Sequence, residues 1–239
     1  VTSLVAKWLT INCRSPRCMA ATEVPEEAAA TEVPEEADDS FSPLVSPTMY
    51  QENGIDVGTT QKSADMLRFI SHVRADGIYM LDWEFTDQRI RVVAQFLARY
   101  EPQEVLVACA RPFGQTPARK FAETTNSLSS IGRFVPGSLT NPRLRQFIEP
   151  SVVLATDPAA DGQVINEAIR TGLPVAAFVD ANNMLRNVDI ALPANNKGRR
   201  SLALLFWILA REVNKARGTI DDDETWAELH ELDEWETQF

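Results

Sequence analysis

Residues that bind metals or form disulfides are scarce in this chain. Its 239 residues include three cysteines and two histidines, and Cys13, Cys18 and Cys109 are distant in sequence from His72 and His230. This set does not make a zinc site. So few cysteines make a reduced, intracellular location the default expectation. The sequence therefore predicts no metal site and no cofactor.

Long hydrophobic runs are absent as well. The most apolar stretch, SLALLFWILA at residues 201–210, is about half as long as a membrane-spanning helix. We therefore predict a buried core helix there and no membrane partner. Residues 1–18 lack a continuous signal-peptide core. Met19 opens a different composition, so we expect Met19 to be the physiological start.

The whole chain has a net charge of −11, and positive charge is rare outside its middle part. Residues 1–48 hold eight acidic and three basic residues, and residues 219–239 hold nine acidic residues and no basic one. Residues 49–218 carry a net charge of +3. A basic core between acidic tails is compatible with a nucleic-acid partner. The simplest interpretation is that the tails solvate the protein, which is compatible with the adaptation to high salt that a low lysine and high acidic content also suits.

Low complexity marks the N-terminal tail. The sequence ATEVPEEA occurs twice within residues 21–37, without enough large apolar residues to fold. We predict an acidic N-terminal extension at 1–48, an α/β domain at 49–218 and an acidic tail at 219–239, with both tails disordered. The last of these also carries apolar residues at short spacing that could fold as a helix against a basic partner: Trp226, Leu229, Leu232 and Trp235.

Residues 151–183 read as one strand–helix–strand unit. Apolar runs at 151–155 and 175–179 predict buried parallel strands. Asp161 is placed to cap the helix between them, which runs to about Arg170. The predicted inward face of that helix consists of Val164, Ile165, Ala168 and Ile169.

The same alternation continues on both sides of this unit. Thr86 is a predicted N-cap and residues 111–114 a predicted loop. Strands are predicted at 77–81, 104–108, 131–135 and 188–192, and helices at 86–100, 116–124 and 198–217. About five strands alternating with helices predict an α/β fold with a parallel sheet covered on both faces.

Two arginine-rich stretches are the main candidate sites. The first contains Arg133, Arg143 and Arg145 with Phe134 on turns rich in proline and glycine, which suits phosphate binding and base stacking. The alternative is a solvated loop whose arginines pair with acidic neighbours. The second stretch precedes the closing helix, where exposed N–H groups favour an anion; its cations are Lys197, Arg199 and Arg200.

Weaker cationic candidates are Lys62, Arg68, Arg111 and Arg119. Lys62 ends the glycine-bent stretch at 54–62, which is not a dinucleotide fingerprint because no apolar strand precedes it. Positive charges at a helix N-terminus oppose the helix dipole, so stability alone does not account for residues 197–200.

A rival hypothesis is an α/β enzyme that binds a phosphorylated small molecule at the carboxyl edge of the sheet. Asp82, Asp157 and Asp180 follow predicted strands and would bind magnesium or accept a phosphoryl group. His72 would be the general base. Aspartate is, however, a common residue of strand-to-helix turns, and no lysine is placed as a partner. We therefore predict no catalytic residues and no small-molecule substrate.

Several motifs together resemble one family. GIDVGTTQK at 54–62, RADGIYMLD at 74–82, FVPGSLTNP at 134–142, ATDP at 155–158 and NVDIALPANNKGRRS at 187–201 are similar to the second protein of the small ribosomal subunit. The resemblance is to the archaeal and eukaryotic branch, which includes the laminin-receptor precursors. It covers about residues 49–217 and leaves out both tails.

This resemblance implies a flavodoxin-like, three-layer α/β/α fold and a structural, non-enzymatic role in translation. It also implies contacts with small-subunit ribosomal RNA and neighbouring ribosomal proteins near the junction of head and body. No segment is long enough for the helical hairpin of the bacterial branch. Asp56 stands where relatives often carry histidine. The acidic tails also depart from the family, and with the composition they suggest a halophilic archaeon.

Overall fold

The structure, a computed structural model, describes residues 42–220 and 223–237. All of them belong to Ser42–Phe239, one of the two units into which the chain divides. The predictions made for the repeat at 21–37 and for Met19 lie outside the described residues.

Five parallel strands form the central sheet, and a separate hairpin accompanies it. The hairpin pairs β1 (Ile70–Val73) with β2 (Tyr79–Leu81) in antiparallel fashion. The sheet consists of β3 (Val105–Cys109), β4 (Leu128–Ile131), β5 (Val152–Ala155), β6 (Val175–Val179) and β7 (Ile190–Pro193). Their order across the sheet is β4-β3-β5-β6-β7. Numbered among the parallel strands alone, this is the 2-1-3-4-5 order of flavodoxin-like folds, which confirms the predicted fold class.

Helices cover both faces of this sheet. They are α1 (Pro47–Glu52), α2 (Trp83–Ala98), α3 (Pro112–Thr125), α4 (Gly162–Thr171), α5 (Arg199–Ala216) and α6 (Asp223–Leu229). Side chains alternate along β3, so Val107 packs in the cluster with α2, α3 and α5, while Leu106 packs in the cluster with α4. Apolar residues on both faces explain why these strands read as unbroken hydrophobic runs.

The strand–helix–strand unit predicted at 151–183 is present as β5, α4 and β6. Val164, Ile165 and Ala168 are buried as expected, and Gly172 ends the helix with a φ of 76°. Ile169 departs from the prediction because 43% of it is exposed. Ile169 follows the buried Ala168, and the helical rotation between successive residues points its side chain away from the face that meets the sheet.

The buried core helix predicted at 201–210 is also confirmed. It forms the middle of α5, where all ten residues are buried between α2, α3 and the sheet. Among the described residues, no helix combines the length and the apolar character that crossing a bilayer requires.

The strand predicted at 77–81 exists but does not join the parallel sheet. It is β2, whose partner β1 was not predicted. The turn between them places Gly77 at a φ of 77°, a conformation that glycine adopts without strain. β1 and β2 pair in antiparallel fashion because only a short turn joins them. A parallel pair would need a crossover connection between the two strands, and no helix lies between β1 and β2.

Three predicted boundaries are wrong for local reasons. Asp82, not Thr86, caps α2, because its carboxylate accepts the N–H of Glu84 at 3.0 Å, while Thr86 donates to Pro193 O at 2.7 Å. The predicted loop at 111–114 is mostly the first turn of α3, since Pro112 suits the first helical position. The weak strand predicted at 131–135 lies earlier, at β4.

The disorder predicted for the C-terminal tail is wrong for residues 223–237, which we call the C-terminal segment. They form α6 and the short 3₁₀ helix Leu232–Trp235. Trp226 and Trp235 are completely buried against the main core. Burial of two large aromatic side chains offsets the entropy lost on ordering an otherwise acidic segment.

Candidate nucleic-acid interface

Acidic side chains at the carboxyl edge of the sheet are occupied by contacts within the protein. Asp157 follows β5 and accepts hydrogen bonds from Arg111 Nε at 2.6 Å and from Asn183 Nδ2 at 2.8 Å. Asp180 follows β6 and pairs with Lys197 Nζ at 2.9 Å. Both carboxylates tie neighbouring loops together, which is a structural task rather than a catalytic one.

Asp161 joins two strand ends. It stands at the N-cap position of α4, as predicted, but its side chain makes no capping hydrogen bond. Its Oδ1 instead accepts the N–H of Ala110 at 2.8 Å, and its Oδ2 accepts those of Thr156 and Asp157 at 3.2 Å and 3.1 Å. Burial raises the pKa of this carboxyl to about 6, against the opposing effect of the amide donors.

Neither of the two remaining catalytic candidates is hydrogen-bonded through its side chain to another candidate in the described part of the chain. Asp82 is engaged in capping α2, and His72 lies exposed on β1 beside Ser71. Burial raises the pKa of the Cys109 thiol to about 11, so this thiol is not an activated nucleophile. Within residues 42–220 and 223–237, no three histidine, cysteine or acidic side chains are arranged to hold a metal ion.

The first arginine stretch forms a surface loop. We define residues 133–145 as the arginine loop; Arg133, Arg143 and Arg145 are all exposed in it. None of the three guanidinium groups makes an ion pair with another described residue. Phe134 is partly buried against the core, which limits its use for base stacking. The loop therefore presents three arginines that have no ion pair with a described residue, while its aromatic residue is anchored in the core.

Glu167 of α4 holds the arginine loop in place. It is 2% exposed, and its two carboxylate oxygens accept the N–H groups of Gly137 at 2.7 Å and Leu139 at 3.2 Å. Gln163 Nε2 donates to the same carboxylate at 2.7 Å. Gly137 itself has a φ of 94°, which explains a glycine at this turn. A cleft of about 440 Å³ separates part of the loop from the start of α4.

The second stretch is already paired. Lys197 binds Asp180 and also donates to Asn182 Oδ1 at 2.9 Å. Arg199 and Arg200, in the first turn of α5, pair with Glu236 of the C-terminal segment at 3.3 Å and 3.4 Å. The arginine loop follows β4 and this stretch follows β7, so the two predicted clusters leave the sheet from its opposite edge strands.

The weaker candidates lie in three kinds of environment: an ion pair, a contact with an aromatic ring, and open solvent. Arg111 is paired with Asp157. Lys62 lies 5.1 Å from the centre of the Tyr79 ring, and Arg68 lies 4.7 Å from that of Phe69. Arg119 is exposed on α3 and makes no ion pair within the described ranges.

The glycine-bent stretch at 54–62 lies against the hairpin. Gly58 donates to Tyr79 O at 3.0 Å, and a Cβ there would lie only 2.6 Å from that oxygen, so only glycine fits. Burial raises the pKa of Asp56 in the same stretch. Gly58 therefore makes a close approach to the protein's own backbone.

Arg186 is a further exposed surface cation, and no sequence motif marks it. It is exposed in the loop after β6 and lines a cleft of about 560 Å³ together with Arg68, Leu67 and Leu185. The polar segment at the carboxyl end of a parallel strand was the available signal, because such loops form binding surfaces.

Comparison with known proteins agrees with this geometry. The profile of the family "Ribosomal protein S2" matches residues 145–216, which run from the end of the arginine loop through α5. The chain is 51% identical over 176 residues to "Small ribosomal subunit protein uS2" of Methanoregula boonei, covering 74% of this chain and 87% of that protein. Identity at this level, over nearly the whole of a curated relative, shows that the chain belongs to the ribosomal protein S2 family.

Proposed function

We propose that this chain is a structural constituent of the small ribosomal subunit that contacts ribosomal RNA through the arginine loop. The observation that carries this proposal is a set of three exposed, unpaired arginines on a loop anchored to α4. Guanidinium groups bind phosphate through paired N–H donors. Membership of the family supports ribosomal RNA and neighbouring ribosomal proteins as the partners.

Anchoring of the arginine loop favours this role. Contacts to Glu167 hold Gly137 and Leu139 before any partner arrives. A loop that is ordered in advance loses less conformational entropy on binding, so more of the phosphate interaction appears as affinity. Phosphate contacts position a protein on RNA without reading sequence, which suits a structural component.

The enzyme hypothesis has little support. Asp157, Asp161 and Asp180 are committed to hydrogen bonds that hold loops together, and the family is a structural one. The chain is accordingly not an enzyme.

Replacement of Arg143 and Arg145 by glutamine tests the proposal. Loss of two phosphate contacts should weaken binding to transcribed small-subunit ribosomal RNA about tenfold at low salt and reduce the log–log salt slope by about two. Filter binding over a salt series measures both quantities.

A matched control replaces Arg89 and Arg99 by glutamine. Arg89 lies on α2 and Arg99 is the residue that follows its last turn, in the layer opposite α4. This pair should leave affinity and salt slope unchanged, although it removes the same total charge. Equal losses in both pairs would contradict a contact at the arginine loop and indicate a general charge effect.

Further parts of the proposal concern location and source. We place the protein near the junction of head and body of the subunit, with a domain at 49–218, an extension at 1–48 and a tail at 219–239. The low lysine content, five residues against 34 acidic ones, supports a halophilic archaeal source. Binding to ribosomal RNA that persists at about 1 M salt, where the Debye length is about 3 Å, would agree with that source. Complete loss there would contradict it.

A further inference from the structure

The C-terminal segment is fastened to α3 and α5 by aromatic side chains. Trp226 and Trp235 have ring centres 6.2 Å apart and are both fully buried. Trp207 of α5 donates its indole N–H to His230 O at 2.9 Å. This apolar anchor brings the acidic residues of the segment to a fixed position on the domain.

Those acidic residues meet cations of the domain. Glu236 lies between Arg199 and Arg200, at 3.3 Å and 3.4 Å. Glu234 pairs with Lys120 of α3 at 2.7 Å. Next to them, Thr237 Oγ1 donates to the carbonyl oxygen of Phe113 at 2.9 Å. The first turn of α5 is therefore covered by one carboxylate of the same chain, that of Glu236.

We propose that the first turn of α5 has two mutually exclusive occupants: Glu236 in the free protein and an RNA phosphate in the bound protein. Carboxylate and phosphate use the same guanidinium donors, and one fork of N–H groups serves only one of them at a time. Either anion also suits the positive end of a helix dipole. This inference rests on the proposed function, because it assumes that RNA is the partner.

The ion pairs of Glu236 with Arg199 and Arg200 are weak enough for another anion to replace the carboxylate. Side chains of Arg199 and Arg200 are 44% and 65% exposed, so water and salt weaken both ion pairs. Because Glu236 belongs to the same chain, its effective concentration near the two arginines is high, and even a weak ion pair is then formed most of the time. RNA presents many phosphates at once and competes through their sum.

Two unsatisfied hydrogen-bond donors within the anchor add to this argument. In the described part of the chain, the indole N–H groups of Trp226 and Trp235 are buried and have no acceptor. A buried donor without a partner forfeits the hydrogen bond that it makes with water. Release of the C-terminal segment would return both groups to solvent and recover part of that loss.

Replacement of Glu236 by glutamine tests the competition. The variant keeps both tryptophans and should remain folded. It should bind transcribed small-subunit ribosomal RNA about threefold tighter than the wild type at about 50 mM salt, with a smaller gain at about 200 mM. The control is Glu231→Gln, which removes an exposed charge of the same segment that has no ion pair among the described residues.

Hydrogen exchange provides a second, independent readout. Amides of residues 232–237 should exchange faster in the wild-type complex with RNA than in the free protein. The inference is overturned if Glu236→Gln and wild type bind equally, if Glu231→Gln gains as much, or if protection of the segment stays unchanged.

Failure of the inference and failure of the proposed function give different results. If the arginine-loop pair Arg143→Gln and Arg145→Gln still weakens binding, RNA recognition stands and only the competition is refuted. If wild type and all variants fail to bind this RNA, the proposed function itself is refuted, and the inference with it.

Discussion

At the scale of single residues, Asp161 shows how one carboxylate organises the carboxyl edge of the sheet. It receives three backbone N–H groups, one from the chain after β3 and two from the chain after β5. Because β3 and β5 are neighbours in the sheet, this side chain locks their ends together. The same position would carry a ligand in many doubly wound folds, but here it is filled by protein.

Replacement of Asp161 by asparagine should destabilise the fold by about 1–3 kcal/mol. An amide NH₂ would take the place of one acceptor oxygen and leave at least one buried N–H without a partner. Urea unfolding followed by circular dichroism measures the change. Asp76→Asn, at an exposed position of the hairpin turn, is the control and should change stability by less than about 0.5 kcal/mol.

The pH dependence of stability should also distinguish this variant. The pKa of Asp161 is raised to about 6 in the folded state, against about 4 in an unfolded chain. Between about pH 4 and about pH 6 the folded protein therefore keeps Asp161 protonated while the unfolded chain does not. The stability that this bound proton contributes is lost as pH rises through about 6. Wild type should lose this contribution over that range and Asp161→Asn should not. Parallel curves for the two proteins would contradict the assignment.

At the scale of elements, the arginine loop depends on α4 for its shape. Glu167 projects from the middle of this helix and holds two loop amides, although it lies about 30 residues away in sequence. α4 therefore has two tasks: its apolar face covers the sheet, and one of its buried polar side chains positions the arginine loop.

Glu167→Gln should loosen the loop without unfolding α4. Glutamine keeps the length but loses one acceptor and the charge, so we expect a stability loss of about 1–2 kcal/mol. RNA affinity should fall about threefold, because the loop must then be ordered on binding. Thermal unfolding and filter binding measure the two effects. Glu123→Gln, exposed on α3, should change neither; unaltered affinity in Glu167→Gln would separate loop order from RNA binding.

At the scale of the whole molecule, the charge layout of the free protein differs from that expected of the sequence. The net negative charge of residues 219–239 is not wholly removed from the basic domain, because Asp223, Glu234 and Glu236 all pair with its cations. The arginine loop remains unpaired among the described residues. Covered and uncovered cations thus lie on one domain, and only the uncovered ones are available for the proposed first contact with RNA.

Removal of residues 219–239 should destabilise the protein as a whole. The loss of buried Trp226 and Trp235 should cost about 3–5 kcal/mol, which scanning calorimetry would detect as a lower Tm. Leu229→Ala is the control, because Leu229 is 71% exposed on α6 and should leave Tm within about 2 °C. A truncated chain with an unchanged Tm would show that the segment adds nothing to the core.

The strand–helix–strand unit and the closing helix were determined by the sequence itself. Apolar runs, helical periodicity and turn residues such as Thr156 and Gly172 act over a few neighbours, so they can be recognised without knowledge of the fold. Family membership, too, was recognisable from short motifs. Element starts were less predictable, because Asp82 and Thr86 are both good capping residues and only their partners decide between them.

Which cations are free was decided by the tertiary structure alone. Arg111 and Asp157 pair although they are 46 residues apart in the sequence. Arg200, in the first turn of α5, likewise pairs with Glu236, which lies beyond the end of that helix in the sequence. The order of the C-terminal segment depends likewise on a site for Trp235 formed by distant residues. Coulomb interactions and burial act through space rather than along the chain, so a sequence states which charges exist and the fold determines which of them are already neutralised.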